Sequence, residues 1–126
     1  MDCPAERNTQ SQANLTEALD RLWARYLPEI KERVAVLESA ASSVAQGALT
    51  DAEREAAHAA AHKLAGVLGT FGLQRGTELA RELEAAFSGD AGPVRCAAGD
   101  LNQALAELRA LIESRGRSAQ SLAPSP

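Results

Sequence analysis

The apolar residues of this chain recur every three or four positions along nearly its whole length, and most of them are alanine and leucine. Such spacing gathers them on one side of an α-helix, in which 3.6 residues complete a turn. Ala and Leu are strong helix formers. The residues that favour strands are scarce, with aromatics at 3% of a chain that is 45% hydrophobic. The fold class that follows is all-α. With so few rings in the core, the helices must approach closely to bury enough surface.

The chain's 126 residues suit one domain. Residues 1–13 are polar and read as a flexible N-terminal arm. Residues 116–126 are Ser/Pro-rich and read as a disordered tail, leaving 14–115 as the folded unit. Asn14 followed by Glu17 marks a helix start, with Leu15, Leu19, Leu22, Trp23 and Tyr26 as its apolar stripe. Pro28 then either opens a new helix in its first turn or kinks a continuous one. Beyond it the stripe runs through Ile30, Val34, Leu37, Ala41 and Val44 to Gly47, a C-cap candidate. Thr50 with Glu53 forms a capping-box pattern that starts the next helix, which runs to about Gly69. Gly69 and Gly72 allow a tight turn. A further helix carries Leu73, Leu79, Leu83 and Phe87, and the run Ser88–Pro93 ends it. Pro93 suits the first turn of a last helix, where Leu101, Leu105, Leu108 and Ile112 share a face with Leu111 beside them. The architecture expected is an antiparallel four-helix bundle with an additional short N-terminal helix.

Several function classes are disfavoured at once. The formal charge is −4, the isoelectric point is about 5.2, and no Lys/Arg-rich run occurs, so neither nucleic acid nor an anionic membrane is an expected partner. The N-terminus lacks the basic-then-apolar order of a signal peptide, and no apolar stretch is long enough to span a bilayer. A cytoplasmic monomer is expected. Cys3 and Cys96 lie far apart and are not expected to pair; no CxxC or Cys/His cluster points to a metal. No glycine-rich phosphate loop is present, and nothing outlines a cleft for a small-molecule substrate.

The helix from Thr50 to Gly69 is the informative one. At about 100° per residue, Ala56, Ala60, Leu64, Val67 and Leu68 fall opposite His62 and form the expected core face. His62 lies on the other side, with Asp51, Glu55, His58, Ala59, Ala65, Gly66 and Gly69. Gly66 costs about 1 kcal/mol of helix propensity relative to Ala. With the alanines it keeps the surface beside the imidazole low, as the approach of another protein's active site would require. The plainer reading is that Gly66 admits a neighbouring helix. His58, one turn before His62, reads as a surface histidine at the edge of this face; two histidines without a further ligand make a poor metal site.

The run Ala61-His62-Lys63-Leu64-Ala65-Gly66-Val67-Leu68-Gly69-Thr70-Phe71-Gly72 resembles the signature of histidine-containing phosphotransfer (HPt) domains. His62, Leu64, Gly66 and Gly72 match the pattern, and the resemblance extends from about Leu15 to Ile112. It implies a phosphorelay intermediate in a two-component system. In that reading His62 accepts a phosphoryl group from a receiver-domain aspartate, or through a hybrid histidine kinase, and passes it to another receiver. Such a carrier is not an enzyme with nucleotide-dependent catalysis of its own. It needs no cofactor, because the receiver supplies the Mg²⁺.

Alignment through Gly72 implies Glu84 as the acceptor that orients the imidazole; otherwise it is an ordinary helix carboxylate. Many members carry a lysine three residues after the histidine, where this chain has Ala65. Charge compensation then falls to Lys63, which otherwise reads as a solvated lysine. The implied docking surface comprises His58, Ala59, Ala65, Gly66 and Gly69, with Gln74, Arg75, Thr77 and Arg81 from the following helix. The competing reading is a helical module that binds receiver or kinase domains without carrying phosphate.

Overall fold

A computed structural model describes the backbone of residues 4–88 and 98–121, and the side chains of residues 14–88 and 99–116. Pro93, Cys3 and Cys96, and with them the expectations placed on them, lie outside the described residues. Within these bounds the chain forms α1 (Pro4–Ala45), α2 (Asp51–Thr70), α3 (Gln74–Ala86) and α4 (Ala98–Ser121). Each helix packs along its neighbours in sequence and α4 returns to α1, so the four surround one shared core. Cross-helix pairs fix the directions. Ser43 meets Glu53 and Trp23 meets Phe71 between α1 and α2. Arg115 meets Asp20 and Arg109 meets Glu38 between α4 and α1. In both cases one number rises as the other falls, so the bundle is antiparallel.

The additional N-terminal helix is not a separate element. α1 is one helix of 42 residues with Pro28 inside it. Proline removes the bond to the carbonyl four residues back, that of Ala24. Both Pro28 and Ala24 are exposed, so water can serve that carbonyl and the helix continues. Helical backbone also reaches back to Pro4, into the stretch read as an arm, and forward to Ser121, into the stretch read as a tail. Glu, Gln, Arg and Ala in these stretches are compatible with helix even without an apolar stripe.

The first part of the expected α1 stripe is only partly used. Trp23 is buried, but Leu15, Leu22 and Tyr26 stay substantially exposed. For Leu15 and Leu22 the cause is length: α2 ends at Thr70, and Phe71 meets Trp23 edge-on with centroids 5.1 Å apart. Residues of α1 before Trp23 therefore project past the α2–α3 turn, where α4 accompanies them through the Arg115–Asp20 pair. The remaining stripes are buried as expected, from Ile30 to Ala41 in α1, Leu79 and Leu83 in α3 with Phe87 at its C-cap, and Leu101 to Ile112 in α4. Each fully buried leucine contributes about 1.5–3 kcal/mol of transfer free energy.

Local chemistry sets the helix ends. Thr50 accepts from the Glu53 backbone amide while Glu53 accepts from that of Thr50, the reciprocal pair of a capping box. The same Glu53 carboxylate accepts from Ser43 at 2.7 Å, which ties the end of α1 to the start of α2. These bonds hold the Glu53 carboxyl below its usual range, with the Ser43 contact the largest cause. Gly47 and Gly72 both adopt positive φ, 66° and 71°, where side chains are strained. The Gly72 turn joins α2 to α3, and Gly76 brings them close: a Cβ there would lie 3.2 Å from Leu68 Cδ1.

The core face of α2 differs from the expected arc. Ala57, Ala61 and Ala65 are buried along with Ala60, Leu64 and Leu68, whereas Ala56 is exposed. The face is rotated toward α3, which packs on the Ala57–Ala61–Ala65 stripe. Alanines at four-residue spacing let a second helix come close without leaving a gap.

Candidate functional site at His62

His62 stands at mid-length of α2, turned out of the core, with its side chain 72% exposed. Glu84 stands on α3. The turn at 71–73 is closed by bonds from Gly72 to Gly69 and from Leu73 to Leu68, and it fixes how the two helices face each other. In that register His62 Nδ1 lies 2.9 Å from Glu84 Oε2. The carboxylate accepts the Nδ1 proton in the tautomer that leaves Nε2 with a free lone pair. The sequence-predicted pair is thus brought together from 22 positions apart.

The same carboxylate oxygen has a second neighbour. His58 Nε2 lies 3.8 Å from Glu84 Oε2, so Glu84 sits between two imidazoles one helical turn apart. The sequence reading left His58 at the edge of the face and missed this approach. The signal was its four-residue spacing from His62, which stacks both rings over the same turn of the facing helix.

The surface beside His62 is vacant on the side of Gly66, where a Cβ would meet nothing within 4 Å. Among the described residues no neighbouring helix presses on this glycine, which lines the open cleft that faces α1. Ala59 and Gly69 are exposed as expected, and a Cβ on Gly69 would touch Thr77 Oγ1 at 3.7 Å. Ala65 does not belong to the exposed face: at 8% exposure it is buried under α3.

Lys63 lines the clefts between α1 and α2, among Tyr26, Glu29, Arg33 and Val67. It stands on the flank facing α1, whereas the imidazole leans toward α3. Of the α3 residues, Gln74 and Arg81 are exposed and Thr77 is half-buried, its hydroxyl donating to the Leu73 carbonyl. Arg75 is drawn away to α4. Its guanidinium donates to both carboxylate oxygens of Glu107, at 2.6 and 3.2 Å, and also contacts Glu78. The Glu107 bond raises the Arg75 pKa and lowers that of Glu107.

Among the described residues no group of three or more His, Cys, Asp or Glu is placed to hold a metal ion. No helix in the same range is long and apolar enough to cross a membrane.

A histidine on an exposed mid-helix face, held at Nδ1 by a carboxylate from the next helix of an antiparallel bundle, suits a carrier of an electrophilic group. The comparisons with known proteins agree: residues 21–114 match the family described as Hpt domain, and the chain belongs to that family, whose members act in phosphotransfer within two-component signalling. It is also 33% identical over 76 residues to the protein named RcaC of Microchaete diplosiphon, an alignment covering 60% of this chain and 12% of that protein. The chain thus spans a small part of its relative's length. No solved structure matches it significantly.

Proposed function

We propose that His62 is the phosphoacceptor of a phosphorelay intermediate that exchanges its phosphoryl group with aspartates of receiver domains. The observation that carries this reading is the 2.9 Å contact between Nδ1 and Glu84 beside an exposed ring. The Nε2 lone pair attacks phosphorus of the aspartyl phosphate, forming an N–P bond. The bond from phosphorus to the aspartyl oxygen breaks, and its electron pair leaves with the carboxylate. The imidazole keeps its Nδ1 proton and becomes cationic, and the Glu84 carboxylate stabilises that charge. The reverse attack by a second receiver returns the ring to its starting tautomer.

This chain contributes the nucleophile, its orientation and an unobstructed approach. The acidic pocket and Mg²⁺ belong to the receiver in this reading, and no cofactor is assigned to this chain. Contacts of this transient kind are small, on the order of 1,200 Å² or less.

The test is incubation with a phosphorylated receiver domain. The wild-type chain should acquire an acid-labile, alkali-stable phosphate, and His62→Gln should not. Glu84→Ala should keep its helicity and slow transfer by about tenfold, equivalent to about 1.4 kcal/mol of barrier. Labelling of His62→Gln would remove His62 from the role. Binding of the receiver without any label would favour the interaction module that carries no phosphate.

A further inference from the structure

We infer that Arg81 supplies the positive charge that faces the phosphoryl group on His62. The inference rests on the proposed role of His62 and goes beyond it by assigning the counter-charge. A neutral imidazole that accepts phosphate gains a group carrying nearly two negative charges near neutral pH. Its nearest partner here, Glu84, is itself an anion, so a cation within reach of Nε2 is needed to balance the site.

α2 and α3 carry four arginine or lysine side chains, and two are committed elsewhere. Arg54 donates to the Phe87 carbonyl at 3.3 Å. Arg75 is held by Glu107 and Glu78. Lys63 forms no ion pair or hydrogen bond among the described residues, but it stands on the flank of α2 that faces α1, about 100° around the helix from His62, and lines the clefts there. Arg81 is exposed, likewise forms no ion pair or hydrogen bond among the described residues, and stands on α3, the helix toward which the imidazole leans.

Its position follows from the α2–α3 register. His62 meets Glu84, and seven residues further along α2 Gly69 meets Thr77, seven residues back along α3. The helices therefore stay in step, and Arg81 is level with Ala65. Thr77, Arg81 and Glu84, at four- and three-residue spacings, share one stripe of α3. Arg81 stands about 4.5 Å of helical rise from Glu84, toward the vacant surface over Gly66.

Two features make this arrangement effective. A Cβ at Gly66 would meet nothing within 4 Å among the described residues, so no side chain there blocks a long one reaching across from α3. A guanidinium presents paired N–H donors that match two phosphoryl oxygens, and it holds its charge throughout the accessible pH range. The buried Ala65 position could not itself hold a cation without taking that charge under α3.

The experiment labels the full chain with potassium phosphoramidate, a small donor that needs no partner protein, and follows the phosphoryl ³¹P resonance across pH. His62→Gln, lacking the resonance, identifies the site. In Arg81→Ala the phosphoryl titration midpoint should move up by about one unit, because losing a nearby cation disfavours the dianion. Arg81→Lys should hold the midpoint close to its wild-type value, and Lys63→Ala should leave it where it is. An unchanged midpoint in Arg81→Ala, with His62 still labelled, overturns the assignment; so does a shift carried by Lys63→Ala. A wild-type chain that takes no phosphoryl group at His62 removes the reading of His62 itself, and Arg81 with it.

Discussion

Substitution of Gly66 separates what this residue does for the fold from what it does for a partner. It lies inside α2, one turn after His62, and a Cβ built there meets nothing within 4 Å. Replacing it with alanine therefore adds no clash and removes the entropic penalty of glycine, a gain of about 1 kcal/mol. For a domain of this size that raises Tm by about 4 °C. Leucine has nearly the propensity of alanine, so Gly66→Leu should be stabilised by a similar amount. Its side chain, however, stands where the proposed function brings a receiver to place phosphorus within bonding distance of Nε2. Displacing the reacting atoms by about 1 Å lowers the rate about 100-fold. Thermal unfolding gives the first quantity, and single-turnover transfer from a phosphorylated receiver gives the second. Labelling by phosphoramidate serves as the control, because a small donor should still reach the ring. If Gly66→Ala lowers Tm, the space over residue 66 is not open. If Gly66→Leu accepts phosphate from a receiver at the wild-type rate, the partner does not sit there.

Two further outcomes concern the scaffold. Pro28→Ala should restore the backbone bond to the Ala24 carbonyl within a continuous α1 and stabilise the chain by up to about 3 kcal/mol; a neutral or destabilising result in denaturant melts would mean that the helix breaks there. Glu53 has a folded-state pKa below its ordinary value of 4.5. Its contribution is therefore present above the unfolded pKa and is lost as pH falls through the lower folded value. Denaturant midpoints measured from pH 6 down to pH 3 should fall less steeply in Glu53→Gln than in wild type, and identical slopes would refute the coupling.

How much of this was legible in the sequence depended on whether the cause was local. The Thr50–Glu53 box and the turn glycines at 47 and 72 act within a few residues, so their chemistry was visible before any packing was known. The leucine stripes of α3 and the last helix were equally plain. Alanine was the ambiguous letter. Ala57, Ala61 and Ala65 are buried where the bundle closes over them, and a helical wheel drawn for α2 alone gives no reason to choose Ala57 over Ala56. The direction taken by Lys63 was hidden for the same reason. Its angle from His62 followed from the helix, but which neighbour occupies that flank is a property of the bundle. Pro28 carried a known local cost, yet only its exposure with Ala24 explains why α1 survives it. The link between His62 and Glu84 came from a motif resemblance, and the second approach to Glu84, by His58, needed coordinates.

The geometry of the site makes the turn between α2 and α3 as consequential as the residues it joins. His62 and Glu84 each stand on a helix with buried neighbours, Ala61 on one side and Leu83 on the other, so neither backbone can shift without disturbing the core. Their meeting therefore depends on register alone. A slip of one residue along α3 turns Glu84 by about 100° and moves it about 1.5 Å, enough to lose the Nδ1 contact. Gly72 at φ 71° sets that register from the turn, and Gly76, with Leu68 against it, sets it from the helix interface. Both glycines serve packing in the ordinary sense, yet both also decide which carboxylate faces the imidazole. Gly66, by contrast, leaves its surroundings empty. Of the glycines close to His62, it is the one that no contact among the described residues explains.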